Sequence, residues 1–370
     1  MKINKELIND LNEKLKFQLN QFDGKYPAAC SEDNVYPLTI NTDWTTGFWS
    51  GMTSIAYDLS GDVYFKEQLQ LQVQSFTERA KANYELNTHD IGFLYTLSCV
   101  NPWRSFKNKE ARSSALLAAD LLMERFHPKA GIIQAWGDLN DPTQQGRMII
   151  DCLLNLPLLY WAAEETGDRK YYDYAYSHAQ QACNFLLRSD YSTYHTFYMD
   201  TVTGEPVRGC THQGFSDESC WARGQAWAIY GFILSYKYTG DRKFLDASIN
   251  SANYFIKHLP EDDICFWDLS LKDTYRDSSA AAIAACGLLE LAKSISILDP
   301  NHEHFNQVAL KIADVLIDKY FDKELNHGGY LKHSVYNLNK GRGVDEYCTW
   351  GDYFFFELLS RLSKPINKYW

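Results

Sequence analysis

L-S-G-D-V-Y-F (residues 59–65), E-T-G-D-R-K-Y-Y (165–172) and Y-T-G-D-R-K-F-L (238–245) set the same pair, Gly-Asp, between two aromatic, apolar stretches. Glycine takes the left-handed position that ends a helix without a Cβ penalty, and an aspartate one step on accepts from the free N–H groups that open the next helix. Each copy therefore reads as a tight αα-hairpin. Gly61, Gly167 and Gly240 stand 106 and 73 residues apart, and 106 is two units of 53, the spacing of hairpins that repeat with loops of varying length.

Helical periodicity extends outward from these marks, through S-S-A-L-L-A-A-D-L-L-M-E-R-F from Ser113, S-S-A-A-A-I-A-A-C-G-L-L-E-L-A from Ser278 and V-A-L-K-I-A-D-V-L-I from Val308. Strand-like alternation is confined to short pieces at 194–200 and 264–269, expected in loops or small hairpins. No Pro-rich or Ser-rich linker divides the chain, so the expectation is an all-α fold and one domain over residues 1–370.

Composition narrows the function. Lys and Arg number 36 against 47 Asp and Glu, a net charge of −11 without a basic tract, which argues against nucleic-acid binding. With 45% apolar residues the chain can bury a large core. The opening M-K-I-N-K-E-L-I-N-D is charged where a signal peptide needs apolar residues, and no apolar run is long enough to span a membrane. Nine cysteines scattered without a CxxC pair read as reduced, mostly buried thiols, and a cytoplasmic location is expected. Aromatic residues make up 15% of the chain, which suits sugar stacking as well as core packing.

Chemistry is expected where polar groups sit in aromatic loops: 41–51, 87–95, 134–157 and 211–227. Asp90 and Asp151 each lead into an apolar run and admit two readings, helix caps or a carboxylate pair for acid–base work. The two roles oppose each other, because N–H donors lower a carboxyl pKa whereas a general acid needs it raised. Spacing alone does not choose. Arg223, between Trp221 and Trp227, is either a cation–π pair in the core or a clamp for a carboxylate ligand. His89, His195 and His212 lack metal-ligand spacing, and no serine-hydrolase elbow, phosphate loop or dinucleotide fingerprint is present.

Taken together, N-T-D-W-T-T-G-F-W-S-G, H-D-I-G-F-L-Y, G-I-I-Q-A-W-G, G-R-M-I-I-D-C-L-L-N-L-P-L-L, S-T-Y-H-T-F-Y, T-H-Q-G, W-A-R-G-Q-A-W, Y-R-D-S-S-A and T-W-G-D-Y-F, in order from residue 41 to 353, resemble the unsaturated glucuronyl hydrolases, glycoside hydrolase family 88. The resemblance implies an (α/α)6 barrel of six helical hairpins, in agreement with the repeat. It implies hydrolysis of the 4,5-unsaturated uronic acid that polysaccharide lyases leave on glycosaminoglycan fragments such as those of chondroitin or hyaluronan, with no metal or organic cofactor. Carried over by motif, Asp151 matches the general acid and base and Asp90 the second essential carboxylate. His195, Gln213 and Arg223 match the sugar pocket, with His89 and Trp227 from the same motifs beside them, and Trp44 and Trp136 match its aromatic walls.

The loop H-S-V-Y-N-L-N-K-G-R-G (333–343) carries two readings, a solvated basic turn or, by the same resemblance, a sulfate-holding loop with Asn337, Lys340 and Arg342 in the ligand places. The expected partner is thus an unsaturated uronic-acid disaccharide, with or without sulfate, and neither nucleic acid nor membrane, for a monomer or a dimer. Three rival functions remain. An unsaturated rhamnogalacturonyl hydrolase would act on pectin fragments, but H-Q-G and H-D-I-G-F favour the glucuronyl group. An (α/α)6 sugar epimerase would leave the double bond intact, and a non-catalytic sugar-binding protein would keep the tryptophans but have no use for Asp151.

Overall fold

In the computed structural model, which describes residues 5–325, 327–364 and 369–370, the Gly-Asp marks do what their chemistry dictates. Gly61, Gly167 and Gly240 each end a helix in the left-handed conformation, with φ of 70°, 77° and 71°. Asp62, Asp168 and Asp241 then cap the next helix by accepting from the N–H two residues on. These turns join α2 (Thr46–Ser60) to α3 (Val63–Lys81), α7 (Leu156–Thr166) to α8 (Arg169–Gln181), and α9 (Ala222–Thr239) to α10 (Arg242–Lys257).

The remaining helices are α1 (Lys5–Phe22), α4 (Ile91–Tyr95), α5 (Asn101–Phe106), α6 (Lys109–Met123), α11 (Ser278–Ser294), α12 (Pro300–Val315) and α13 (Thr349–Ser363). The turn between α5 and α6 has the same shape without glycine: Lys107 takes φ 56° and Asn108 caps α6 through the Ala111 N–H. Part of the charged opening segment, residues 1–4, lies outside the described residues.

Helices alternate between an inner ring and an outer layer. α2, α4 with α5, α7, α9, α11 and α13 pack side by side, and α13 closes the ring against α2; α3, α6, α8, α10 and α12 lie outside their partners, and α1 lies outside α2. This is the (α/α)6 barrel. The inner helices are enclosed all round, so α9 is buried over residues 222–235 and α11 over 278–292 without a break. Outer helices such as α10 bury one stripe, Phe244, Leu245, Ala247, Ser248, Ser251, Ala252 and Phe255. The strand pieces serve one end of the barrel. Thr196–Met199 pairs with Arg147–Ile149 on one side and Pro206–Cys210 on the other, and Ser334–Asn337 forms a hairpin with Arg342–Glu346. Among the described residues no helix is long and apolar enough to cross a membrane.

Candidate active site

Asp90 and Asp151, 61 residues apart in sequence, meet because two inner helix starts press together. Gly92, in the first turn of α4, lies so close to the 3₁₀ turn Ile150–Leu154 that a Cβ there would stand 2.6 Å from Asn155 Cβ and closer still to the Asn155 backbone. Asn155 fastens the contact: its Oδ1 accepts the Phe93 N–H at 2.6 Å and its Nδ2 donates to the Asp151 carbonyl at 3.4 Å. On the flanks, the His89 N–H donates to Ala135 O at 2.7 Å and the Ile150 N–H to His195 O at 3.1 Å.

His89 stands between the two acids, its Nε2 3.4 Å from Asp90 Oδ1 and 3.2 Å from Asp151 Oδ1. The Asp151 contact is one of proximity, since that buried oxygen accepts no aligned hydrogen bond within the protein. Asp90 Oδ2 accepts from Thr88 Oγ1 at 2.7 Å. Neither carboxylate works as a helix cap: the Asp90 side chain makes no cap bond to α4, and Asp151 lies inside a turn whose cap residue is Ile149. The capping reading thus fails for Asp90, which Thr88 holds instead, whereas the N–H groups of Asp151 and Cys152 still draw the Asp151 carboxyl down against the larger effect of its burial.

The electrostatics follow from burial. Side-chain exposures are only 16% and 19% for Asp90 and Asp151, so ionising either is costly. Burial pushes the Asp90 carboxyl up to about 6, opposed by the Thr88 hydrogen bond. Burial and then the charge of Asp90 push Asp151 well above the usual carboxylate range, with Arg223 pulling the other way. Burial also holds His89 well below its ordinary pKa, so its imidazole stays neutral between two acids. The three donors lie within 4.8 Å of one another, close enough to admit a cation. Such an ion would compete with the protons that burial holds there.

Around this pair the other expected residues divide. Trp136, half-buried, takes the Arg147 guanidinium over its ring at 4.7 Å and meets His212 edge-on at 5.4 Å. Trp44, also half-buried, stacks on Trp350 at 5.2 Å and donates from Nε1 to the Tyr336 hydroxyl at 3.1 Å. His195 is buried against Trp221 at 4.8 Å, its Nδ1 sharing a hydrogen bond with Thr196 Oγ1 at 2.6 Å.

Arg223 takes the first of its sequence readings, a cation–π partner in the core, and the carboxylate nearest its guanidinium is that of buried Asp277, 3.6 Å from Nη1. Its guanidinium lies 4.4 Å from the Trp221 ring and 4.5 Å from Trp350, not Trp227. Its Nη1 donates to Val335 O at 2.6 Å, and its Nη2 to Gln213 Oε1 at 2.6 Å and Tyr336 O at 2.9 Å. These contacts hold Gln213 in place, and Arg223 itself is only 2% exposed. Trp227 departs from expectation: it is 1% exposed and packs on Phe93 and Phe354 in the core, since its place on the enclosed helix α9 gives it no solvent-facing side.

The basic loop is the turn of the hairpin between Ser334–Asn337 and Arg342–Glu346. Asn337 Oδ1 accepts the Lys340 N–H at 3.2 Å, Asn339 Nδ2 donates to Gly214 O at 2.7 Å, and Arg342 lies over the Tyr336 ring at 4.6 Å. The Asn339 bond brings Lys340 and Arg342 to the segment that carries His212 and Gln213. Sequence reasoning passed over Arg147, Tyr198, Asn155 and Tyr336. Arg147 was the most accessible of these, a lone cation in the G-R-M-I-I-D segment.

Residues 18–353 match the family described as Glycosyl Hydrolase Family 88. The chain belongs to glycosyl hydrolase family 88. It is 43% identical to the unsaturated chondroitin disaccharide hydrolase of Streptococcus pneumoniae over 99% of this chain and 93% of that protein. The crystal structure of the unsaturated glucuronyl hydrolase of Bacillus sp. GL1 superposes with a TM-score of 0.94 at 44% identity, covering 96% of both chains. A mutant of the Streptococcus agalactiae unsaturated glucuronyl hydrolase complexed with dGlcA-GalNAc6S superposes with a TM-score of 0.88 at 39% identity, covering 100% of this chain and 95% of that one. This family member is thus a glycoside hydrolase.

Proposed function

We propose that the protein removes the 4,5-unsaturated uronic acid from the non-reducing end of lyase-generated glycosaminoglycan disaccharides by hydrating its double bond. The observation that carries this reading is the carboxyl group of Asp151, buried, unpartnered at Oδ1 and raised toward its protonated form beside Asp90. An ordinary glycosidase needs two carboxyl groups in separate roles across an acetal. The unsaturated uronate is a vinyl ether, for which one carboxyl acting as acid and then base is sufficient. Protonated Asp151 delivers its proton to C4, and positive charge builds at C5, shared by the ring oxygen. The resulting carboxylate then takes a proton from the water that attacks C5. The hemiketal formed collapses, opening the ring and releasing the downstream sugar and a keto-uronate, without a covalent glycosyl-enzyme.

Asp90 accepts hydrogen bonds from the sugar hydroxyls and, when ionised, raises the pKa of its neighbour. Neutral His89, within 3.4 Å of both acids, stands between them without adding a charge. Trp44 and Trp136 wall the sugar, and Gln213, His195 and the charge of Arg223 face its polar edge. Asn337, Lys340 and Arg342 hold a sulfate on the second sugar, the kind of substituent that the Streptococcus agalactiae complex carries. The reading includes one catalytic domain over residues 1–370, a cytoplasmic location and no metal or organic cofactor.

The test is to incubate the protein with an unsaturated chondroitin disaccharide in the presence of a chelator and follow the ultraviolet absorbance of the conjugated alkene. Loss of absorbance with release of the amino sugar supports the reading. Unchanged absorbance, with or without binding, would point to an epimerase or a sugar-binding protein.

A further inference from the structure

Cys30 and Cys348 face each other across a contact that the proposed chemistry does not use. They form an antiparallel bridge. It is flanked by the Ser31 N–H donating to Tyr347 O at 2.9 Å and the Thr349 N–H donating to Ala29 O at 3.1 Å. Flanking bonds of this kind make the cysteines a non-hydrogen-bonded pair, in which the Cα atoms stand about 4.5 Å apart and both side chains leave the same face. That separation lies within the range of roughly 4.4–6.8 Å over which a disulfide closes without backbone movement. In the strand pairings of the described residues no other cysteine faces a cysteine, and Cys210 faces Thr196. Both thiols are free, Cys30 with 6% exposure and Cys348 with none.

The surroundings distinguish the two sulfurs. A Cβ on Gly343 would lie 2.7 Å from Cys30 Cβ, so the basic hairpin passes directly over Cys30. Burial pushes the Cys30 thiol up and the fully buried Cys348 thiol well up; the exposed Arg342 guanidinium draws Cys30 back down, and the buried Arg223 does the same for Cys348. Two residues beyond Cys348, Trp350 stacks on Arg223 and Trp44.

We propose that Cys30 and Cys348 form a reversible modification site for small-molecule disulfides, becoming an internal disulfide that ties the segment before α2 to the start of α13. The Cys30 thiolate attacks one sulfur of the small disulfide, whose S–S bond breaks and releases one thiolate to take up the Cys30 proton. Cys348 then attacks the Cys30 sulfur of the mixed disulfide and expels the second small thiol with its own proton. The two cysteines lose two hydrogens and two electrons, and the reagent becomes two thiols. The resting state is the dithiol, in keeping with a reducing compartment.

The experiment treats the native full chain with excess oxidised glutathione, alkylates it in denaturant, and reads intact mass and a peptide map. The expected product is lighter by about 2 Da before alkylation. It carries 9 − 2 = 7 alkylatable cysteines and a cross-linked peptide joining Cys30 to Cys348. Dithiothreitol restores all nine, and the oxidised form melts several degrees higher, because the bond closes a loop across most of the chain. Cys30→Ser should keep its eight remaining thiols under the same treatment. Nine alkylatable thiols after oxidation, a glutathione adduct that stops at Cys30, or a bridge mapped to another pair would overturn the proposal. No outcome depends on the enzymatic reaction, so this test stands or falls apart from the functional reading.

Discussion

The meeting of Asp90 with Asp151 rests on Gly92, and Gly92→Ala tests that dependence. The added Cβ would fall 2.6 Å from Asn155 Cβ, where ordinary contact begins near 3.4 Å, so the helix start carrying Asp90 must retreat by close to 1 Å. Overpacking of this size costs about 1–3 kcal/mol of stability. Displacing a catalytic group by about 1 Å costs about 10²-fold in rate, or about 2.7 kcal/mol of barrier. The expected result is therefore a fall of about 100-fold in kcat/KM on an unsaturated disaccharide, with a folded protein of lowered Tm. Gly240→Ala is the control: its φ is 71° with open space around the position, so it strains a distant turn by about 1–2 kcal/mol while leaving the carboxylates alone. Comparable loss of Tm in both variants, with activity lost only in Gly92→Ala, is the outcome that the geometry requires. If Gly92→Ala kept more than about a tenth of wild-type kcat/KM, the Gly92–Asn155 contact would not be what sets the pair.

Asp151→Asn should keep the fold and sugar binding but lose at least roughly 10²- to 10⁴-fold in turnover, and a variant retaining more than about a tenth of the rate would remove Asp151 from the reaction. The pH profile should fall as pH rises through the raised Asp151 pKa, because the proton donor is lost there; a flat rate from about pH 5 to 9 would argue for another proton donor. Stability should track the same groups: Asp90 is raised in the folded state from 3.8 to about 6, so the folded protein holds its proton longer and loses stability as pH rises between those values. That loss is roughly 3 kcal/mol at most, and Asp90→Asn should melt higher than wild type at pH 7.5 but not at pH 4 in parallel calorimetry. Lys340→Ala and Arg342→Ala should each lower kcat/KM on a 6-sulfated chondroitin disaccharide by roughly 10- to 100-fold and leave the unsulfated one nearly unchanged, whereas equal effects on both substrates would return the hairpin to a solvated turn.

The fold was legible wherever punctuation was chemical. Gly-Asp marked three hairpins because only glycine adopts the left-handed turn without strain and aspartate caps the next helix. The turn at Lys107-Asn108 escaped because a lysine accepts the same φ there, leaving no sign in the residue type. The site was legible only in its parts. Asp90 and Asp151 stood out, but their adjacency depends on a glycine whose partner, Asn155, is named nowhere by spacing. Arg223 was placed between Trp221 and Trp227 by proximity in sequence, whereas its second indole, Trp350, arrives on α13 from the far end of the chain. Trp227 was expected beside the sugar pocket because its motif also carries Arg223, and only the enclosure of α9 shows that its indole packs in the core.

Above all, the proposed chemistry requires that water adds across a vinyl ether at C5 and that the glycosidic bond is never displaced directly. Turnover of an unsaturated chondroitin disaccharide in heavy-oxygen water, with both products analysed by mass spectrometry at early times, measures this directly. The label is expected on the keto-uronate at the former C5, with the released sugar unlabelled. Label at the anomeric carbon of the released sugar, or cleavage that leaves the alkene chromophore intact, would contradict hydration of the double bond.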